Sequence, residues 1–237
     1  MTQATGDHIV KRYDEELLRL TGEILRMGDL AAKELEAAIA AVIERDSDSA
    51  QRIVDSDATI DALEREVSHD VIRLLALRQP MARDLREVMA ALRIASDIER
   101  IGDYAANVAK RALALNRVDL VRPVFALPRL AELAGELVNE VLLAYRDRDA
   151  DRALLAWARD EELDGMYTSL FRELLTYMME DPRNITACTH LLFMAKNIER
   201  IGDHATNIAE NIHFLVHGTE IAQARRKGDL SHGVVGA

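Results

Sequence analysis

The chain has few of the residues that build disulfides, strands and mobile linkers. Of its 237 residues, 1 is cysteine, 4 are proline and 11 are glycine, and aromatic residues make up only 4%. The lone Cys188 excludes an intrachain disulfide and a thiolate zinc site, and it suits a reducing compartment. A composition poor in proline and rich in Ala, Leu, Ile, Glu and Arg is typical of an all-helical protein.

Long apolar runs and an excess of basic residues are also missing. No apolar stretch approaches the roughly 20 residues of a bilayer span, and the first residues show no apolar core of a secretory signal. The formal net charge of −11 argues against nucleic acid as a partner, because phosphates require basic surface. We therefore expect a cytoplasmic protein without direct membrane insertion, whose partners are cations or basic protein surfaces.

Apolar residues recur every three or four positions and predict six long helices. The second helix follows the stretch RDSDS and ends near Leu77, because Pro80 cannot continue a helix. The other five helices are predicted at residues 8–45, 81–115, 129–146, 150–179 and 183–216. Short links between long helices favour antiparallel neighbours, and so the sequence predicts two three-helix bundles.

The two predicted bundles carry nearly the same motif in their third helices. The stretch DIERIGDYAANVAK (97–110) matches NIERIGDHATNIAE (197–210) at nine of fourteen positions. This repeat indicates an internal duplication, and the fold class is all-α, with two tandem, pseudo-symmetric three-helix bundles. We expect the domains at residues 1–117 and 125–220, followed by a polar tail at 221–237.

Each copy of the motif places two acids four positions apart, on a helix stripe that is otherwise apolar. Leu85, Val88 and Leu92 begin a stripe that Glu99 and Asp103 continue. The second helix of each half carries a similar pair, in the stretches DATID and DEELD. The four acidic pairs are Asp57 with Asp61, Glu99 with Asp103, Asp160 with Asp164, and Glu199 with Asp203.

The proline turns set the heights of these pairs on neighbouring helices. Asp57 lies 23 residues before Pro80 and Asp103 lies 23 after it. In the other half, the first acid of DEELD lies 22 residues before Pro182, and the last acid of the second ERIGD motif lies 21 after it. The two pairs of each half should therefore meet on adjacent antiparallel helices.

Four carboxylates at one height repel one another unless a cation binds between them. Oxygen ligands suit iron, manganese, magnesium or calcium, and they tolerate zinc. Asn107 and Asn207 lie one turn beyond the acids and add amide oxygens, while Gly102 and Gly202 leave room beside them. The predicted metal ligands are Asp57, Asp61, Glu99, Asp103, Asn107, Asp160, Asp164, Glu199, Asp203 and Asn207.

The same motifs are compatible with other sites and surfaces, which the sequence argues against. A single ExxxD pair usually lies on a solvated helix face, and Arg100 or Arg200 would be able to neutralise the acids locally. Both arginines, however, point about 100° away from the acids that precede them, and with Tyr104 they are expected to face solvent. A calcium loop in DSDATIDALERE fails, because Ile60 stands where the turn needs glycine. A di-iron enzyme of the ferritin type fails, because the Glu-x-x-His spacing is missing.

The two ERIGD motifs, the DATID and DEELD pairs and their spacing resemble the PhoU family of phosphate-transport accessory proteins, over about residues 8–217. The resemblance implies two similar three-helix bundles and multinuclear iron or zinc clusters held by the acidic pairs. It also implies an adaptor that represses the phosphate-starvation regulon. Such an adaptor links the transporter ATPase PstB to the sensor histidine kinase PhoR.

The two copies of the motif also differ at a position next to the predicted ligands. Tyr104 stands where the second motif has His204, so the two metal sites are expected to differ in affinity or nuclearity. Manganese or magnesium also fits the oxygen ligands, and we expect a homodimer. The function expected is a regulatory adaptor that is not an enzyme, and the alternative is a metalloenzyme that uses the carboxylate-bound clusters.

Overall fold

The computed structural model describes residues 3–78 and 80–222, with the backbone alone at 3–12 and 14. Residues 223–237, most of the predicted tail, lie outside the described part. The six α-helices are α1 (Gln3–Glu44), α2 (Ser47–Arg78), α3 (Arg83–Leu115), α4 (Leu127–Asp147), α5 (Ala150–Glu180) and α6 (Ile185–His217). The prediction of an all-α fold is therefore confirmed.

The same local chemistry separates the first two helices of each half. Arg45 and Arg148 adopt left-handed backbone angles, with φ of 59° and 53°, and each ends the preceding helix. The next residue then caps the following helix. Asp46 accepts a hydrogen bond from the backbone N–H of Ser49 (3.0 Å), and Asp149 accepts one from the N–H of Arg152 (2.9 Å). The same Arg-Asp pair therefore ends one helix and begins the next at both turns.

The predicted helix boundaries lie within two residues of the observed ones, except at the start of α1. Helix α1 begins at Gln3, five residues before the predicted start. The prediction missed these first residues because they form no apolar stripe. Helix α6 begins at Ile185 and not at 183, because Pro182–Asn184 form a 3-10 turn. A second 3-10 helix, Arg122–Ala126, occupies part of the predicted connector.

Helices α3 and α6 form the centre of the molecule. Helix α3 packs against α1 and α2 of its own bundle and against α6 of the other bundle, and α1 also packs against α4. The predicted stripe of Ile94, Ile98 and Ile101 is fully buried. Buried alanines on the other sides of α3, such as Ala91 and Ala106, let three neighbours approach. The two bundles are therefore joined along their third helices.

The contact between the central helices is antiparallel and polar. Asp97 of α3 lies 2.8 Å from His204 Nδ1 of α6 and accepts a hydrogen bond from the Asn207 amide (3.2 Å). Tyr104 packs against the His204 ring, with centroids 5.6 Å apart. The expectation that the Tyr104 side of α3 faces solvent is therefore wrong, because α6 covers part of it.

Within the described part of the chain, none of the six helices combines the length and the apolar character that a membrane span requires.

Candidate metal sites

The first acidic site, defined as Asp57, Asp61, Glu99 and Asp103, lies between α2 and α3. One carboxylate oxygen each from Asp57, Asp61 and Asp103 falls within 4.8 Å of the other two. These side chains are all half-buried. The register set by the turn at Pro80 therefore brings Asp57, Asp61 and Asp103 together, whereas Glu99 is not part of this group of close carboxylate oxygens.

Two acids of the first site, Asp57 and Glu99, have pKa values raised by burial and by neighbouring carboxylates. Burial raises the pKa of Asp57 above its usual value, and the nearby Asp103 and Asp61 raise it further. Burial also raises the pKa of Glu99, helped by Asp103, Asp61 and Glu64. A group of carboxylates that disfavour their own charge is stabilised when a cation binds to it.

Arg100 supplies part of the missing positive charge. Its Nε lies 2.9 Å from Glu99 Oε2, and its Nη1 lies 2.8 Å from Asp103 Oδ2. The expectation that Arg100 serves only the solvent-facing surface is wrong, because its long side chain folds back along the helix to acids at i−1 and i+3. Arg200 has a different contact and lies 5.6 Å from the centroid of the Tyr104 ring. A metal ion at the first site would compete with Arg100.

The second acidic site, defined as Asp160, Asp164, Glu199 and Asp203, lies between α5 and α6 and is more deeply buried. Asp160 and Asp164 are each 1% exposed and Glu199 is 3% exposed, while Asp203 is half-buried. Glu199 Oε2 is buried and accepts no hydrogen bond from any described residue. Buried carboxylates of this kind need a cation nearby.

Lys196 provides a cation within the second site. Its Nζ lies 2.7 Å from Glu199 Oε1 and 4.9 Å from the centroid of the Tyr167 ring. Burial nevertheless raises the pKa of Glu199 to about 7, with Asp203 and Asp164 adding to the rise and Lys196 opposing it. One lysine therefore does not fully compensate the carboxylates around it.

Two glycines let the second and third helices of each half approach closely. A Cβ on Gly102 would lie 2.8 Å from Ile60 Cδ1. A Cβ on Gly202 would overlap Leu163 Cδ2 and would lie 2.6 Å from Asp160 Oδ1. Each glycine lies one position before an acid of its site, so it sets the distance between the two acidic pairs.

The two asparagines predicted as ligands have other contacts. Asn107 Oδ1 accepts a hydrogen bond from Lys110 Nζ at 3.5 Å, and Asn207 donates to Asp97 across the centre of the molecule. Their assignment as metal ligands stays a prediction. Sequence reasoning missed the parts played by Lys196 and Asp97. The motif comparison held a signal for both, because Lys196 stands opposite Ser96 and Asp97 opposite Asn197 in the repeat.

The residues present fit a metal ion of the kind that oxygen ligands prefer. The first site offers three carboxylate oxygens close to one another, and the second site contains a buried carboxylate oxygen without a hydrogen-bond donor among the described residues. Oxygen ligands suit iron in its harder states, manganese and magnesium, and they are also found on zinc. The two sites differ in burial and in the position of the competing basic side chain.

The chain matches known proteins over nearly its whole length. The PhoU domain model matches residues 24–112 and 127–212. A phosphate-specific transport system accessory protein PhoU homolog of Xylella fastidiosa is 58% identical over 234 residues, which cover 99% of each chain. The corresponding homolog of Caulobacter vibrioides is 52% identical over 228 residues, or 94% of this chain and 98% of that protein.

Solved structures agree with these sequence matches. The crystal structure of PhoU from Pseudomonas aeruginosa superposes with a TM-score of 0.84 at 38% identity, covering 87% of this chain and 100% of that one. The phosphate transport system regulatory protein PhoU from Streptococcus pneumoniae gives a TM-score of 0.83 at 29% identity, covering 89% and 100%. The chain belongs to the PhoU family.

Proposed function

We propose that this protein is a regulatory adaptor of phosphate homeostasis and that it represses the phosphate-starvation genes when phosphate is plentiful. The observation that carries the proposal is the match to accessory proteins of the phosphate-specific transport system over 99% of both chains. These relatives are named as accessory proteins and not as enzymes. We therefore assign this chain a binding function without catalysis.

The proposed partners are the transporter ATPase PstB and the sensor histidine kinase PhoR. The negative charge of −11 supports binding to basic protein surfaces, which it attracts over distances of about a Debye length. The proposed location is the cytoplasm, where both partners would be reached. The proposed assembly is a homodimer.

We propose that both acidic sites bind metal ions, with iron or zinc as the family resemblance implies and manganese or magnesium as alternatives. Asp57, Asp61 and Asp103 would hold the ion of the first site, with Glu99 beside them. Asp160, Asp164, Glu199 and Asp203 would hold the ion of the second site. A bound metal supplies positive charge that offsets the repulsion between carboxylates. The protein's own part is to hold two helices at the distance that the glycines set.

The second site is proposed to bind metal more weakly than the first. Lys196 already places an ammonium group 2.7 Å from Glu199, and an entering ion would have to displace it. At the first site the competing guanidinium belongs to Arg100, which is 53% exposed and is readily rehydrated. The difference in desolvation therefore favours the first site.

The regulatory proposal is tested with a reporter driven by a phosphate-starvation promoter. In high phosphate, deletion of this protein should raise reporter output while the transporter and the kinase remain intact. Complementation with the wild-type chain should restore repression. Normal repression in the deletion strain would refute the regulatory role.

The metal proposal is tested by elemental analysis of the purified protein. Replacing Glu99 and Asp103 with alanine should remove about half of the bound metal, and the same change at Glu199 and Asp203 should remove the rest. A matched control replaces Glu132 and Glu136, an i,i+4 acidic pair outside both sites, with alanine. Equal metal content in all variants would show that the acidic sites bind none.

A further inference from the structure

A long groove lies between α1 and α4, away from both acidic sites. Its volume is about 1000 Å³, and its lining on α1 runs from Asp29 to Glu44. At 1.5 Å per residue this stretch is about 22 Å long. The groove therefore has the length of about four helical turns.

The floor and one wall of this groove, called here the α1–α4 groove, are apolar. Buried Leu35, Ile39 and Ala131 form the floor. Phe125, from the 3-10 helix of the connector, lines the groove with 71% of its surface exposed. Gly135 also lines it, and a Cβ there would meet no atom within 4 Å. An exposed aromatic side chain beside an apolar channel is typical of a binding surface.

The rim of the α1–α4 groove is acidic. Its charged lining consists of two bases, Lys33 and Arg129, and five acids, which are Asp29, Glu36, Glu44, Glu132 and Glu136. Both bases are already paired along their own helices, Lys33 with Asp29 and Arg129 with Glu132, each at 2.7 Å. Among the described residues, Glu36 and Glu44 have no basic partner.

We propose that the α1–α4 groove docks a basic amphipathic helix of a partner protein. A helix fits the space because two neighbouring helices present a groove that the apolar face of a third can fill. Lys or Arg on the flanks of that face would pair with Glu36 and Glu44. The inference deepens the proposed adaptor role and rests on it for the identity of the partner as part of phosphate signalling.

The charge of the rim favours a basic helix over a second copy of this chain and over an anionic lipid surface. A second copy of this chain seated at the groove through the same face would bring the same acidic rim, so that the like charges of the two rims oppose an isologous contact here. An anionic lipid surface is repelled for the same reason. A helix with basic flanks gains from both the apolar floor and the rim.

The binding test uses a synthetic helical peptide of about 16 residues, with leucines at i, i+3, i+4 and i+7 and lysines on the flanks. Its affinity is measured by fluorescence anisotropy. The groove variant combines Phe125→Ala with Ala40→Arg, which removes the exposed ring and adds bulk and positive charge. The matched control combines Leu155→Ala with Ala158→Arg on the exposed side of α5. Circular dichroism is used to check that both variants are folded.

We expect the groove variant to bind the peptide at least about tenfold more weakly than the wild type, and the control within about twofold. Binding should also weaken from about 0.05 M to about 0.5 M salt. Equal affinity of wild type and groove variant would overturn the inference, as would absence of wild-type binding. It also fails if a peptide with glutamates in place of the lysines binds equally well, or if the groove variant turns a dimer into a monomer.

The reporter strain separates this inference from the proposed function. If deletion raises reporter output but the groove variant represses normally at wild-type abundance, the adaptor role stands and the groove inference is wrong. If deletion itself leaves repression intact, the adaptor role fails, and the peptide affinities alone decide whether the groove binds basic helices. Loss of repression in the groove variant, with the control variant active, supports both.

Discussion

The buried Glu199 carboxylate should make the metal-free protein less stable as the pH rises. Its side chain is 3% exposed, and burial raises its pKa from 4.5 to about 7, although Lys196 lies 2.7 Å away. Replacing Glu199 with glutamine keeps the shape and removes the ionisable group. Because Asp164 and Asp203 remain, the variant isolates the contribution of one carboxylate.

The size and sign of the effect follow from the two pKa values. Below pH 4.5 the Glu199 carboxyl is protonated in both the folded and the unfolded chain, and it has no pH-dependent effect. Between pH 4.5 and 7 the folded chain keeps the proton that the unfolded chain has lost, so the free energy of unfolding falls as the pH rises. The full rise in pKa corresponds to about 3 kcal/mol, of which about 2 kcal/mol falls between pH 5.5 and 8.

The assay is urea denaturation of chelator-treated protein, followed by far-UV circular dichroism from pH 5.5 to 8. The stability of the Glu199→Gln variant relative to the wild type should increase by about 2 kcal/mol over this range. Glu99→Gln is the matched control. It should show a smaller change, because the Glu99 carboxylate is 18% exposed and lies 2.9 Å from Arg100. Parallel pH curves for the wild type and Glu199→Gln would refute the reasoning.

Three further predictions concern the acidic sites and the helices that hold them. Lys196→Ser, which copies Ser96 of the first half, should tighten metal binding at the second site. Titration calorimetry checks this, with Lys196→Gln as a second uncharged variant. Gly202→Ala should lower the free energy of unfolding by about 1–3 kcal/mol, because the new methyl group overlaps Leu163. Gly22→Ala, where a Cβ meets nothing within 4 Å, should instead raise it by up to about 1 kcal/mol in the same denaturation assay. Chelation should leave the helical circular dichroism intact and lower the melting temperature, because apolar burial at about 25 cal/mol per Å² sustains each bundle without metal. Loss of helix on chelation would contradict this.

The helices and the register of the acids could be predicted because local features determine them. Pro80 and Pro182 stand at the turns, and counting residues from each turn places the acidic pairs opposite each other. The closeness of Asp57 to Asp103 in the first site therefore follows from helix geometry alone. The bounds of the two domains, the binding of metal and the identity of the metal stay predictions.

The features that sequence reasoning missed depend on contacts between distant parts of the chain or on flexible side chains. Periodicity shows that α3 has apolar residues, but it does not show that α6 covers the side carrying Tyr104. A helical wheel gives the direction of the Cβ of Arg100, whereas the guanidinium swings back to Glu99. The part played by Lys196 could not be predicted from the shared acids, because it lies just before the motif, at a position where the two halves differ.

The contact between Tyr104 and His204 has a consequence for how the protein evolved. These residues occupy the same position of the repeat and contact each other, as residues near a local two-fold axis do. A single ancestral bundle would therefore have paired with an identical copy through this face of its third helix. Joining the two copies in one chain would then have left the two sides of the axis free to diverge. Asp97 facing His204 is one result, because an identical pair of chains would have had to place the same residues on both sides.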